Sequence, residues 1–214
     1  MRILAIDTTG PACSVALRLP GPADHVSSET MARGQAERLA PMVRDLLAEV
    51  GLAPSGIDRI GAAVGPGSFA GSRIGVAFAR GLALATGAEC IGISNLQWWA
   101  SSAEMPEAGS VLVVHDARRG EVVLQGFDPN GPLAAAETRP MEDARAALAA
   151  SPGNGAHRVL TGTGAHLLDG GPERQPPRLA ALLDLIEAAK PPFHPPKPFY
   201  ARPPDAKLPG GREA

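Results

Sequence analysis

The first residues whose types and spacing could bind a metal-phosphate group are Asp7, Thr8 and Thr9. They directly follow the apolar stretch 3–6. A carboxylate at a strand end can order a hydrated Mg²⁺, while neighbouring hydroxyl and N–H groups bind phosphate oxygens. A turn in which Asp7 accepts backbone N–H bonds explains the same residues equally well. The sequence therefore makes Asp7, Thr8 and Thr9 a candidate nucleotide-binding loop, with the turn as the alternative.

A second aspartate, Asp116, ends the apolar stretch 110–115 in the same way. A matching phosphate loop should have glycines directly after this aspartate, so that no Cβ stands between the backbone and the phosphate. Here Ala117-Arg118-Arg119 follow instead, although the two arginines could still attract an anion from another direction. We therefore predict that Asp116 belongs to a vestigial nucleotide site whose second half is damaged.

The block Gly65-Pro66-Gly67-Ser68-Phe69-Ala70-Gly71 is the third unusual segment. It lacks the Gly-x-x-x-x-Gly-Lys-Ser/Thr spacing of a P-loop and the Gly-x-Ser-x-Gly spacing of a nucleophile elbow. A glycine loop at a helix start does allow Ser68 to cap free N–H groups and an anion to dock there.

Small residues recur every fourth position after this block, at Gly71, Gly75 and Ala79. Residues four apart share one helix face, so another backbone can approach this stripe closely. The approaching backbone belongs either to the protein's own sheet or to another chain.

The sequence gives little support for a metal-dependent enzyme or for a peptidase. The five histidines are scattered and include no pair four residues apart: His25, His115, His157, His166 and His194. No His-Glu-x-x-His motif, nucleophile elbow or Cys-His pairing is present. We predict no catalytic residues and no metal ligands.

The elements that must position these residues occur twice. Residues 2–7, 13–19 and 25–30 predict three strands, followed by a helix over 35–50, a strand over 58–64, a helix over 70–86 and a strand over 89–93. Pro41 either restricts the first helix to beginning within about one turn upstream or kinks it. After a linker at 101–109, strands at 110–115, 120–127, 133–139 and 158–161 and helices at 141–150 and 178–189 repeat the order.

Repeated units with a strand-end aspartate in each indicate an α/β, two-lobed ATPase fold of the actin, hexokinase and Hsp70 (ASKHA) type, with duplicated βββαβα units and a reduced second lobe. We assign residues 1–100 to the first lobe, 110–190 to the second and 191–214 to a Pro-rich extended tail. The tail either lies along the surface as a strap or contacts a partner or a nucleic acid.

Composition restricts the partners. A formal net charge of −2 provides no overall field for an RNA backbone, so contact with nucleic acid needs a local basic patch or a partner protein. No stretch approaches the roughly 18 apolar residues that a membrane span needs, so we expect a cytoplasmic protein with no membrane contact.

Several segments in order along the chain resemble the TsaB family, also called YeaZ: 3–8, 13–17, 65–75, 116–122 and 198–207. The family pattern Gly-Pro-Gly-Ser-Phe-Thr-Gly-Leu-Arg-Ile-Gly is rarely met elsewhere, and this chain departs from it at Ala70 and Ser72. Gln35 stands where the family has a histidine. These departures could alter the affinity for a partner.

The resemblance implies a non-catalytic partner of TsaD, the subunit that transfers the threonylcarbamoyl group to tRNA, with TsaE in a larger complex and TsaC-type enzymes completing the pathway. It implies a homodimer when the protein is alone, contact with tRNA only through the complex, no required cofactor, and room for ATP or ADP at the interface with TsaD. The alternatives are an ATP-dependent phosphotransferase that uses Asp7 and Asp116, a peptidase, and a homodimeric interaction protein with another client.

By the same analogy, the helices over 35–50 and 70–86 carry the partner surface. The candidate interface residues lie on these two helices and the glycine loop: Gln35, Leu39, Val43, Gly67, Ser68, Gly71, Arg73, Gly75 and Ala79.

Overall fold

The computed structural model describes residues 1–105, 109–150, 158–193 and 195–201. The first sheet consists of β1 (Ile3–Asp7), β2 (Ala12–Arg18), β3 (Asp24–Thr30), β4 (Arg59–Ala63) and β5 (Glu89–Ile93). The order of the strands across this sheet is β3-β2-β1-β4-β5. The first three strands are antiparallel, whereas β4 is parallel to β1 and to β5. These five strands are the ones predicted for the first half.

The second sheet is built from β6 (Ser110–Arg118), β7 (Glu121–Asp128), β8 (Gly131–Pro132), β9 (Glu137–Pro140) and β10 (Arg158–Thr161). β10 is parallel to β6, while β7 is antiparallel to β6, β8 and β9. The prediction of one strand over 133–139 is wrong in its first part, because the strand is confined to β9 and the Leu133 side chain is 58% exposed.

The helices are α1 (Gln35–Glu49), α2 (Phe69–Thr86), α3 (Asn95–Ser101), α4 (Met141–Ala150), α5 (Ala165–Asp169) and α6 (Leu179–Ala188), with a short 3₁₀ turn at Pro54–Gly56. α1 begins more than one turn before Pro41, so the prediction that proline restricts its start is wrong. Helices α3 and α5 were not predicted.

The two sheets repeat one topology. The order β1, β2, β3, α1, β4, α2 corresponds to β6, β7, β9, α4, β10, α5, and in each unit the fourth strand lies parallel to the first. Within the described residues, the second sheet has no counterpart of β5. The predicted α/β fold with duplicated βββαβα units and a reduced second half is confirmed.

The first sheet is covered on both faces. Leu39, Met42 and Val43 of α1 and Ala79 of α2 pack on one face. Leu182, Leu183 and Ile186 of α6 are fully buried against the other. The helix predicted at 178–189 is thus present, but it covers the first sheet instead of completing the second unit.

Helix α3 joins the two halves of the core. Trp98 packs in the cluster beneath α6, whereas Leu96 and Trp99 pack with Val111, Val113 and other residues of the second sheet. Each half therefore buries apolar area against this short helix, which fixes how the two sheets meet.

Candidate functional site

The loop after β1 is closed by its own hydrogen bonds. Asp7 Oδ1 accepts from the Thr9 backbone N–H at 2.8 Å and from the Thr9 hydroxyl at 2.6 Å. The Thr8 hydroxyl donates to the Gly71 carbonyl at 2.6 Å. Thr8 and Thr9 are buried, while Asp7 remains partly exposed. The aspartate therefore makes the local turn that sequence analysis gave as the alternative to a phosphate loop.

Asn95, the first residue of α3, ties this loop to the glycine loop. Its Nδ2 donates to the Thr9 hydroxyl at 2.6 Å, and its Oδ1 accepts from the Gly65 N–H at 3.0 Å. The Asn95 backbone N–H donates to the Gly65 carbonyl at 2.8 Å, and the Ser68 N–H donates to the Thr9 carbonyl at 2.8 Å. One buried amide thus holds two loops that are far apart in sequence.

The turn at Asp116 begins two residues before the end of β6 and repeats the hydrogen bond of the first turn, with Ala117-Arg118-Arg119 between Asp116 and Gly120. Asp116 Oδ1 accepts from the Arg118 N–H at 2.8 Å, as Asp7 does from Thr9, and Arg118 Nη1 lies 3.0 Å from Asp116 Oδ2. Arg118 and Arg119 both have positive φ, at 64° and 55°. The carboxylate that a phosphotransferase would need is therefore bound within its own turn.

A cavity of about 410 Å³ lies between the two sheets, and we call it the cleft. Its lining includes Asp7, Thr9 and Asn95 from the first half and His115 and Thr163 from the second. Asp116 is not among the lining residues, and the described residues that line the cleft include no lysine or arginine. The two predicted aspartates therefore do not meet in this cleft.

Two titratable groups in the cleft are shifted by their surroundings. Burial raises the pKa of the Asp7 carboxyl, and the hydrogen bonds from Thr9 oppose this effect. Burial lowers the pKa of His115 to about 4. The Thr163 hydroxyl accepts from the Asp116 N–H at 3.1 Å and lies 3.0 Å from His115 Nδ1, where the imidazole tautomer decides which of the two atoms donates.

The stripe of small residues on α2 packs inside the chain. A Cβ added at Gly71 would overlap the Thr8 carbonyl oxygen, and one at Gly75 would lie 2.7 Å from Thr8 Oγ1. Ala79 is fully buried in the core below. The close approach belongs to the protein's own sheet, which corrects the prediction that these three residues face a partner.

Leu39 and Val43 are also buried in the protein's own core, at 1% and 3% exposure. They face β2 because the apolar face of α1 covers the sheet. Side chains buried in this way offer no surface to a partner, which corrects the prediction for both residues. Gln35 is partly exposed at the start of α1, where its Nε2 donates to the Met31 carbonyl at 3.2 Å.

The glycine loop and the exposed side of α2 remain accessible. Ser68 caps α2 as predicted, with its hydroxyl accepting from the Gly71 N–H at 3.1 Å. Gly67 is exposed beside the cleft. Arg73 projects from the outer face of the helix, which we define as Phe69, Arg73, Ala77, Arg80, Gly81 and Leu84, all exposed.

Neither a cluster of three metal-ligand side chains nor a membrane-spanning helix occurs in the described part of the chain. Its histidine, cysteine, aspartate and glutamate side chains form no group of three that could hold a metal ion. None of its helices is both long and apolar enough to cross a bilayer. His157 and His194 lie outside the described residues.

Sequence reasoning missed Asn95, Trp98, His115 and Thr163 as residues of the cleft. The stretch Ser94-Asn95 after β5 was the available signal, since Ser94 is a helix cap and accepts from the Leu96 N–H at 3.2 Å. The pairing of His115 with Thr163 has no sequence signal, because it depends on how β10 and α5 place a distant loop.

Comparison with known proteins places these features in context. A family model described as TsaD, tRNA N6-adenosine threonylcarbamoyltransferase, matches residues 26–154. The tRNA threonylcarbamoyladenosine biosynthesis protein TsaB of Escherichia coli is 42% identical over 134 residues, which cover 61% of this chain and 58% of that protein. An uncharacterized protein of Mycobacterium tuberculosis is 33% identical over 215 residues, which cover 96% of this chain and 93% of that protein.

Among solved structures, YeaZ from Pseudomonas aeruginosa superposes with a TM-score of 0.72 at 33% sequence identity, covering 87% of this chain and 90% of that chain. The match to the E. coli protein is shorter and spans less than two thirds of that relative's length.

Proposed function

This chain belongs to the TsaB (YeaZ) branch of the TsaD family, and we propose that it is a non-catalytic subunit of the machinery that makes N6-threonylcarbamoyladenosine in tRNA. In this role it binds a TsaD-type subunit, which performs the transfer, and stabilises the competent state of that subunit through higher affinity for it. TsaE joins the larger complex in the cytoplasm, and tRNA is contacted only through the complex. When alone, the chain pairs with itself.

The hydrogen bonds within the turns at Asp7 and Asp116 and at the glycine loop carry the non-catalytic part of this proposal. A phosphate loop offers free backbone N–H groups to its ligand. Here the N–H groups of Thr9, Ser68 and Arg118 all donate within the chain. Together with the position of Asp116 outside the cleft lining, this supports a subunit that requires no nucleotide of its own. ATP or ADP then belongs to the interface with the TsaD-type subunit.

Reconstitution tests the function directly. Purified TsaD-type and TsaE-type subunits, a TsaC-type enzyme, ATP, threonine, bicarbonate and tRNA are combined with and without this chain, and the modified nucleoside is measured by mass spectrometry. We expect the product only when the chain is present, and none when the TsaD-type subunit is omitted.

A second measurement distinguishes a non-catalytic binding subunit from an enzyme. Gel filtration at micromolar concentration should show a complex of the chain with the TsaD-type subunit. Equal product without the chain, or product from the chain without the TsaD-type subunit, would contradict the proposed role.

A further inference from the structure

An exposed arginine on the outer face of α2 is held between two aromatic rings. The Arg73 guanidinium carbon lies 3.5 Å from the centroid of the Phe69 ring and 5.2 Å from that of Tyr200. The two rings are 5.3 Å apart, and Arg73 Nε donates to the Tyr200 hydroxyl at 2.8 Å. We call Phe69, Arg73 and Tyr200 the anchor cluster. Phe69 and Tyr200 remain 48% and 39% exposed, so the cluster is accessible to another molecule.

Tyr200 reaches this helix because the chain around it is fixed. The extended segment 195–201, which we call the strap, crosses both sheets. Pro196 is buried against Gly92 in the first sheet, and the Phe199 N–H donates to the Val64 carbonyl at 2.7 Å. The Ala201 carbonyl accepts from the Thr138 hydroxyl of the second sheet at 3.0 Å. Contacts on both sides of Tyr200 thus hold its ring beside Arg73.

The cluster orients Arg73 without neutralising it. The ion pairs found between described residues do not include Arg73. Helix α2 carries Arg73 and Arg80 and no acidic residue, so its outer face is positive. The aromatic rings and the Nε hydrogen bond leave the two terminal amino groups as a planar fork, the geometry that binds a carboxylate by two hydrogen bonds.

We propose that the anchor cluster is the binding hot spot for the partner subunit, with Arg73 receiving an aspartate or glutamate carboxylate of that subunit. The inference rests on the proposed function, since it names the chemistry by which the TsaD-type partner is recognised. Tyrosine and arginine are, with tryptophan, the residues enriched at such hot spots. A side chain already held in place loses less entropy on binding, which favours Arg73 over the other cations of the helix.

The test compares two arginines of the same helix. Arg80 is exposed and charged like Arg73, but it has no aromatic contact or ion pair among the described residues, so Arg80→Met is the matched control for Arg73→Met. Affinity of the full chain for the TsaD-type subunit of the same organism is measured by calorimetry. We expect Arg73→Met to weaken binding at least about 30-fold, Arg73→Lys about tenfold because the fork is lost, and Arg80→Met less than about threefold.

A double-mutant cycle tests the role of the strap. Tyr200→Phe keeps the ring but removes the hydroxyl that orients Arg73, so it should weaken binding about threefold in the natural background and have no effect beside Arg73→Met. Circular dichroism and melting temperature should be unchanged in all variants, because the altered groups are exposed.

The outcomes separate this inference from the function on which it rests. If the unaltered chain forms no complex with the TsaD-type subunit, the proposed function fails and the inference fails with it. If that complex forms and Arg73→Met binds as well as Arg80→Met, only the inference is overturned. Loss of self-association or of tRNA binding in Arg73→Met, with partner affinity intact, would also overturn it.

Discussion

Thr8 lies where α2 comes closest to β1, and its contacts explain why two glycines stand on that helix. Its hydroxyl donates to the Gly71 carbonyl, and its own backbone carbonyl occupies the space that a Gly71 side chain would need. The hydroxyl also lies under Gly75. At this position the glycines permit close packing within the chain, so their spacing carries no information about a partner.

Gly71→Ala is therefore expected to destabilise the protein by about 3 kcal/mol or more, because the added methyl group meets backbone rather than a flexible side chain. Gly81→Ala in the same helix is the control, since no atom lies within 4 Å of an added Cβ there. That substitution should stabilise the protein by about 0.5–1 kcal/mol through higher helix propensity. Urea denaturation measures both.

Equal stability of the Gly71→Ala and Gly81→Ala variants would show that α2 can move away from Thr8. The close approach would then be a consequence of the glycines and would not be required by the fold.

At the scale of elements, the long periodic segments were predictable and the short connecting helix was not. The spacing of Leu39, Met42, Val43 and Leu46 predicted α1, and the buried face of that helix contains these residues. The same spacing does not tell whether a sheet or a second chain covers them. Only the position of α1 over β2 answers that question.

Helix α3 was missed because its 7 residues are too few for a periodic apolar pattern. Its importance depends on long-range contacts that local sequence does not encode. The bond from Asn95 to Thr9 joins residues 86 positions apart. Prediction from sequence therefore found the two loops of the candidate site but not the residue that joins them.

The Asn95→Ala substitution tests whether this side chain holds the two loops together. The substitution leaves the buried Gly65 N–H without an acceptor and the Thr9 hydroxyl without a donor, so it should cost about 2–3 kcal/mol of unfolding free energy. Gln97→Ala on the exposed side of the same helix is the control and should change stability by less than about 0.5 kcal/mol. Thermal and urea denaturation provide the comparison, and equal effects of the two substitutions would contradict the joining role of Asn95.

At the scale of the whole molecule, the two repeated units place their corresponding aspartates in different surroundings. The repeated βββαβα units place the two aspartates on corresponding first strands, as the sequence predicted, but β1 ends at Asp7 whereas β6 continues past Asp116 to Arg118. Each aspartate is held in its own turn, but Asp7 lines the cleft and Asp116 does not. The packing of the two halves on α3 has no signature in either strand.

We therefore expect the isolated chain to bind Mg-ATP only weakly, with a Kd above about 1 mM. The corresponding binding free energy is no more favourable than about −4 kcal/mol. The phosphates would meet loops whose N–H groups are already engaged, next to the Asp7 carboxyl and a neutral His115. Calorimetry with the chain alone, repeated with the complex that contains the TsaD-type subunit, measures this. Micromolar binding by the isolated chain would contradict the proposal of a pseudo-ATPase, whereas heat that develops with the complex and with neither subunit alone would assign the nucleotide to the interface.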